Sequence, residues 1–144
     1  MSENVLERAF LQVMNESVNM ALATSVNDKP NVRIVTFGFD KAQQDKLYFC
    51  TFRGNQKTKE FEQNPQVACT FLPMSLESEL QVRIFGKVQK SQLTMKELIA
   101  LISKKAPDGA DTLKEAVHML DVYEINFTEA WITIGMTEAQ EYKL

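Results

Sequence analysis

Residues 48–65 read YFCTFRGNQKTKEFEQNP, and this stretch runs from a strand through a glycine turn into a helix. Its first residues are aromatic or β-branched, as in a strand, and Gly54 breaks the pattern. Asn55 is a good N-cap for a helix over Gln56–Gln63, which the following Asn-Pro pair ends. A strand that turns directly into a capped helix leaves free backbone amides at the turn.

Lysines occupy the first turn of this helix, where positive charge opposes the helix dipole. A phosphate or carboxylate bound at the free amides would account for Lys57 and Lys59. The alternative is that these lysines and Arg53 are solvated surface charges balanced by Glu60 and Glu62. This segment alone favours the alternative.

Outside this block, short apolar strands alternate with polar turns. The predicted strands are Val18–Val26, Val32–Phe39, Leu47–Phe52, Gln66–Leu72, Leu80–Val88, Val122–Phe127 and Trp131–Ile134. The predicted helices are Glu3–Asn15, Gln56–Gln63 and a segment capped by Ser91 that contains Leu93–Ile102 and is closed by Pro107–Gly109, with a weak helical turn at Thr112–Val117. Helices do not alternate with strands, which argues against a doubly wound parallel sheet. Six or seven short antiparallel strands favour a barrel, because an open sheet would expose two edges.

Length, charge and cysteine content limit the classes of protein to which this chain can belong. The 144 residues fit a single domain over 1–144, and 44% hydrophobic residues can form its core. A net charge of −3 argues against a general nucleic-acid binder. Cys50 and Cys69 lie in apolar runs and His118 is the only histidine, so no metal site is expected. The sequence shows no signal peptide or membrane anchor, and the expected location is the cytoplasm.

Arg33 stands inside an apolar strand. Alternation places it on one face with Val35, Phe37 and Phe39, and places Val32, Ile34 and Thr36 on the other. Both faces carry apolar groups, so neither is clearly the solvent face. The pattern therefore does not favour an Arg33 side chain that simply points into solvent. A buried guanidinium needs an anionic partner.

Three blocks in this order resemble a known family: NVRIVTF at 31–37, the stretch 48–65, and ELQVRIFGKV at 79–88. The chain resembles the pyridoxamine 5'-phosphate oxidase-like FMN-binding split barrels, including their small stress-protein and nitroimidazole-reductase-like members. The resemblance covers nearly the whole chain. It implies a mainly β fold, a six- to seven-stranded antiparallel split β-barrel with peripheral helices. It also implies a homodimer with FMN at the subunit interface, and a flavin-dependent oxidoreductase of unknown substrate.

The resemblance also implies a set of cofactor-binding residues. The FMN phosphate would be held by Arg33 and Lys57, with the helix start at Asn55 and Gln56. The ring and ribityl chain would lie along the backbone of Ile34 and Val35 and along Thr36 and Thr51. Gln81 would approach the flavin from the neighbouring subunit, unless it is a strand-edge side chain in solvent. No catalytic residue is assigned, and Lys59 is left as a rim charge.

The chain departs from the vitamin-processing oxidase that names the family. It has four arginines and none after Arg83, so a second phosphate site for pyridoxamine phosphate lacks its ligands. True pyridoxamine phosphate oxidase activity is therefore not expected. The alternative function is a non-catalytic regulatory or storage dimer that binds flavin, haem or F420, with His118 as the haem ligand. Trp131 could stack near a flavin, but a core position is favoured.

Overall fold

The chain forms one eight-stranded antiparallel sheet with helices around it. The computed structural model describes residues 2–144. The strands are β1 (Asn19–Val26), β2 (Lys29–Thr36), β3 (Lys46–Phe52), β4 (Gln66–Phe71), β5 (Leu80–Lys90), β6 (Leu120–Asn126), β7 (Glu129–Ile134) and β8 (Gln140–Lys143). The helices are α1 (Glu3–Glu16), α2 (Gln56–Gln63), α3 (Met95–Ser103) and α4 (Pro107–Lys114), and a 3-10 turn spans Val117–Met119. None of these helices is long and apolar enough to cross a membrane.

Six strands curl into a barrel in the order β2-β1-β4-β5-β6-β3, and β7 and β8 extend from β5. The two outer strands of this row meet at a single point just beyond β2. There the Gly38 amide donates to the Tyr48 carbonyl at 2.7 Å, and the Tyr48 amide donates to the Gly38 carbonyl at 3.0 Å. No other bridge joins the two strands among residues 2–144, so the barrel is split between β2 and β3. The predicted split-barrel fold is confirmed.

Strand β5 belongs to both parts of the sheet, because it changes its partner strand along its length. Its first half, Leu80–Ile84, pairs with β7, and its second half, Lys87–Lys90, pairs with β6. Gly86 lies at the change of partner. A Cβ there would stand 2.5 Å from the Asn126 carbonyl oxygen, so the close approach of β5 and β6 requires glycine.

The core has two parts, one inside the barrel and one outside it. Helix α1 covers one end of the barrel, where the Phe10 ring lies 5.9 Å from that of Phe39 and 5.4 Å from that of Tyr142. The second part lies between β3, β6 and the pair α3 and α4, and includes Tyr48 and Leu98. Strand β3 therefore buries both faces, which explains its continuous apolar sequence.

Several predicted boundaries are wrong. Ser91 does not cap α3, because its hydroxyl donates to Glu124. Thr94 caps α3 instead, in a capping box with Glu97. Pro107 begins α4 at its first turn rather than closing the helix before it. Strand β2 starts at Lys29 and ends at Thr36, and the short β8 was not predicted.

Candidate functional site

The free edge of β2 faces the split. Backbone groups along a strand point alternately to its two sides. Gly38 directs its groups to Tyr48 on β3, so Ile34 and Thr36 direct theirs to the same side, where β2 has no partner strand within residues 2–144. Val35 points the other way: its backbone pairs with β1 and its side chain lies in the barrel core. Of the predicted contacts on β2, Ile34 and Thr36 therefore line the split, and Val35 lies behind it.

A polar cluster lies where β3 passes into α2. The buried Thr51 hydroxyl accepts hydrogen bonds from Asn55 Nδ2 at 2.5 Å and from Lys57 Nζ at 3.0 Å. Asn55 Oδ1 accepts the Thr58 amide at 3.3 Å and so caps α2, as predicted. The first turn of α2 has no acidic residue. Three of the predicted residues, Thr51, Asn55 and Lys57, are thus in direct contact.

Lys57 is held in a setting that disfavours its charge. Burial lowers the pKa of Lys57 below its ordinary value, and the nearby charge of Arg33 lowers it further. An anion placed beside both cations would reverse this effect. Gln56, the next predicted residue, is exposed at the start of α2, and Lys59 is exposed farther along the helix.

Arg33 finds its anionic partner within the chain. Its guanidinium forms an ion pair with Glu60 on α2 and donates to Thr24 Oγ1 at 2.8 Å and to the Leu22 carbonyl at 3.4 Å. The side chains of Arg33 and Glu60 are 19% and 9% exposed. The sequence predicts Glu60 only as a surface charge and does not reveal this pair. The residues are 27 positions apart, and no local pattern connects them.

The outer face of the sheet carries an exposed apolar strip opposite the barrel interior. One end of the strip is formed by Val32 and Ile34 on β2, which are 63% and 56% exposed. The other end is Phe85 on β5, which is 54% exposed. Cross-strand pairing joins Val32 to Phe85 through Ala23 and Ala68. The strip is a shallow apolar trough of about 230 Å³ across β2, β1, β4 and β5. Contiguous exposed apolar surface is typical of interaction sites.

Gln81 and Trp131 also lie on this outer face. Gln81 is exposed on β5 and faces solvent within the single chain. Trp131 pairs with Arg83 and is only partly buried, so the favoured core position is wrong. Arg83, which the sequence argument did not place in the site, stands between these two residues and the apolar strip.

The remaining reactive side chains are the two cysteines and the histidine. Burial raises the pKa of Cys50 to about 11 and that of Cys69 to about 12, so both thiols stay protonated at neutral pH. His118 is exposed in the 3-10 turn that leads into β6. Next to it, the Met119 carbonyl accepts the Arg53 amide at 3.1 Å, which ties this turn to the end of β3.

Comparison with known proteins agrees with this arrangement. Residues 13–139 match the family described as pyridoxamine 5'-phosphate oxidase-like. The chain belongs to that family. The match includes the split, the polar cluster and the outer face of β5.

Individual proteins of known sequence or structure share a modest part of their sequence with this chain. A pyridoxine/pyridoxamine 5'-phosphate oxidase from Actinobacillus pleuropneumoniae serotype 5b is 36% identical over 88 residues, which are 61% of this chain. The matched part spans 40% of that oxidase's length. General stress protein 26 from Bacillus anthracis superposes with a TM-score of 0.70 at 19% identity, over 96% of this chain and 98% of that one. The haem storage protein HutZ from Vibrio cholerae gives 0.68 at 15% identity, over 94% and 99%. These structural likenesses show the fold.

Proposed function

We propose that this protein binds FMN in the split between β2 and β3 and acts as an FMN-dependent oxidoreductase of unknown substrate. One observation carries the proposal: the split has the unpaired edge at Ile34 and Thr36 of β2 on one side, and β3, which ends in the cluster of Lys57, Thr51 and Asn55, on the other. The edge offers backbone donors and acceptors to a flat heterocycle. The cluster offers a cation and free helix amides to a phosphate. A flavin mononucleotide has both groups at its two ends.

The phosphate would lie beside Lys57 at the start of α2. Its charge would relieve the repulsion between Lys57 and Arg33 and favour the protonated lysine. Arg33 would keep Glu60 as a partner and present its remaining donors to the phosphate. The residues of the cluster therefore fit an anionic group of this kind.

The proposal includes a homodimer, because Gln81 cannot reach the split of its own chain. Strand β5 lies three strands from β2, which is roughly 14 Å at the usual strand spacing. Gln81 does lie on the same outer face as the strip of Val32, Ile34 and Phe85. Docking two chains through this face would bury the strip and bring Gln81 of one chain toward the split of the other.

FMN, when bound, would supply the electron-transfer chemistry. The chain's residues would bind the phosphate, orient the ring along β2 and exclude water through the apolar strip. No acid or base on the chain is required by this role. A pyridoxamine phosphate substrate is not proposed, because its phosphate would need further cations and no arginine follows Arg83.

The test is a titration of the purified protein with FMN, followed by flavin fluorescence, with sedimentation to measure the mass. One FMN per chain in a dimer is expected. Lys57→Ala should weaken binding by about 1.5–3 kcal/mol, roughly 10- to 150-fold, because a charge-assisted contact is lost. Lys59→Ala is the matched control, since it removes an equal charge from the exposed side of α2 and should change the affinity less than about threefold. A folded dimer that binds no FMN, or equal effects of both variants, would refute the proposed site.

The second candidate is a non-catalytic haem-binding dimer, and the position of His118 favours it. This histidine is exposed next to Met119, and Phe52 pairs with Leu120, two residues after it; Met119 and Phe52 are 45% and 54% exposed. An imidazole among exposed apolar groups suits a haem face. A parallel haem titration tests it: binding that disappears in His118→Ala, with no FMN binding, would replace the flavin proposal. F420 is titrated in the same series.

A further inference from the structure

Glu60 places a negative charge beside the proposed phosphate site. Its carboxylate forms an ion pair with Arg33 and accepts a hydrogen bond from Asn31 Nδ2 at 3.4 Å. The residue is only 7% exposed, and a glutamate is almost never buried to this extent without a partner. A carboxylate next to an arginine that is proposed to meet a phosphate opposes phosphate binding, because like charges repel.

The Arg33 guanidinium is largely committed to the chain itself. Of its five N–H donors, the two on Nη1 are used by Thr24 Oγ1 and the Leu22 carbonyl, and one on Nη2 is used by Glu60. The Nε donor and the second Nη2 donor make no hydrogen bond among residues 2–144. Arg33 can therefore still donate to a phosphate, but its charge is already balanced.

The polar cluster at the start of α2 is left with one uncompensated cation. Arg53 is paired with Asp121 at 3.2 Å, and Arg33 is paired with Glu60. Lys57 forms no ion pair among the described residues. A phosphate monoester carries roughly −1.5 to −2 charges at neutral pH, so a single lysine neutralises only part of it.

Holding Arg33 in place does not require a charge at position 60. A glutamine would present a carbonyl oxygen to the same guanidinium and could accept the same hydrogen bond. The charge of Glu60 therefore has an effect on a bound anion that is separate from its contact with Arg33.

From these contacts we infer that Glu60 limits the affinity for the FMN phosphate and so keeps the flavin exchangeable. The inference rests on the proposed FMN site and adds the residue that sets its strength. With Arg33 balanced by Glu60, the uncompensated charge that holds the phosphate is that of Lys57. Affinity differences between variants of one site are expressed mostly in the dissociation rate, so a weaker hold on the phosphate means faster release of FMN.

The test compares FMN with riboflavin, which has the same ring and ribityl chain but no phosphate. Glu60→Gln should bind FMN at least about fivefold more tightly and release it more slowly by a similar factor, because the like charge beside the phosphate is gone. Its affinity for riboflavin should change less than about twofold. Flavin fluorescence in a titration and in stopped flow measures the affinities and the release rates.

Glu62→Gln is the matched control. Glu62 carries the same charge two positions farther along α2, is exposed, and forms no ion pair among the described residues. Its replacement should change the FMN affinity less than about twofold. Riboflavin provides a second control, since a merely structural role of Glu60 would alter the binding of both flavins alike.

Lys57→Ala tests the same inference without altering Glu60, should Glu60→Gln fail to fold. If Lys57 supplies the uncompensated charge, Lys57→Ala should bind FMN and riboflavin with affinities within about threefold of each other. A preference for FMN of tenfold or more in this variant would show that the charge of Arg33 is available, and would overturn the inference.

Two other results would overturn the inference alone. One is an FMN preference in Glu60→Gln that is unchanged or lower than in the wild type, which would mean that the Glu60 charge positions Arg33 for the phosphate. The other is an equal effect of Glu60→Gln and Glu62→Gln. A wild-type chain that binds neither flavin would instead refute the proposed FMN site, and the inference with it.

Discussion

The ion pair of Arg33 and Glu60 allows a quantitative test of what holds β2 against α2. Replacing Arg33 with Met removes the guanidinium that contacts Glu60, Thr24 and Leu22. The carboxylate of Glu60, 9% exposed, would then keep only Asn31 Nδ2, at 3.4 Å. Leaving one member of a buried pair alone costs about 3–5 kcal/mol, and the partial exposure of Arg33 reduces our expectation to about 2–4 kcal/mol.

The double variant R33M/E60L should recover most of this loss. Apolar residues of similar size remove the unpaired charge, and such replacements of buried pairs are often nearly neutral. We expect the double variant to lie within about 1 kcal/mol of the wild type, so the losses of the single variants R33M and E60L should not add.

Urea unfolding of the cofactor-free protein measures the cycle. Fluorescence of Trp131, the only tryptophan, follows the transition, and all variants are compared at one protein concentration because a dimer would make the midpoint concentration-dependent. A loss below about 1 kcal/mol in R33M, or additive single effects, would refute the reasoning. Arg33 would then be available to a phosphate at no cost to the fold.

Two further predictions concern close packing and pH. Gly86→Ala should destabilise the protein by about 2–4 kcal/mol in urea unfolding, because the new Cβ would meet the Asn126 carbonyl at 2.5 Å. Gly109→Ala is its control: its Cβ would have no neighbour closer than 3.8 Å, and a helical alanine should add up to about 1 kcal/mol. Equal losses would contradict the packing argument. Burial lowers the pKa of Lys105 from 10.5 to about 7, so the unfolded chain binds more protons across this window and the free energy of unfolding rises with pH there. Lys105→Met should reduce that slope by up to about 1.4 kcal/mol per pH unit, and an unchanged slope would show that Lys105 stays charged over Phe37.

The local sequence determines a large part of the fold. The stretch 48–65 encodes its own strand, turn and capped helix, since Asn55 needs only residues within one turn to act as a cap. The hairpin of β1 and β2 is equally local, with Asn27 and Asp28 both at positive φ in the turn. The wrong boundaries at Ser91 and Pro107 have one cause: each residue type suits more than one position near a helix end. For Ser91 the choice was made by a tertiary partner, Glu124.

The candidate site was only partly predictable for a related reason. The sequence by itself determined which residues have anion-binding chemistry and placed Thr51, Asn55 and Lys57 within one local motif. Only the curl of the sheet decided that Glu60 meets Arg33 and that the edge at Ile34 and Thr36 stays unpaired. These features join segments far apart in the chain, so they depend on the path of the whole barrel rather than on the residues beside them.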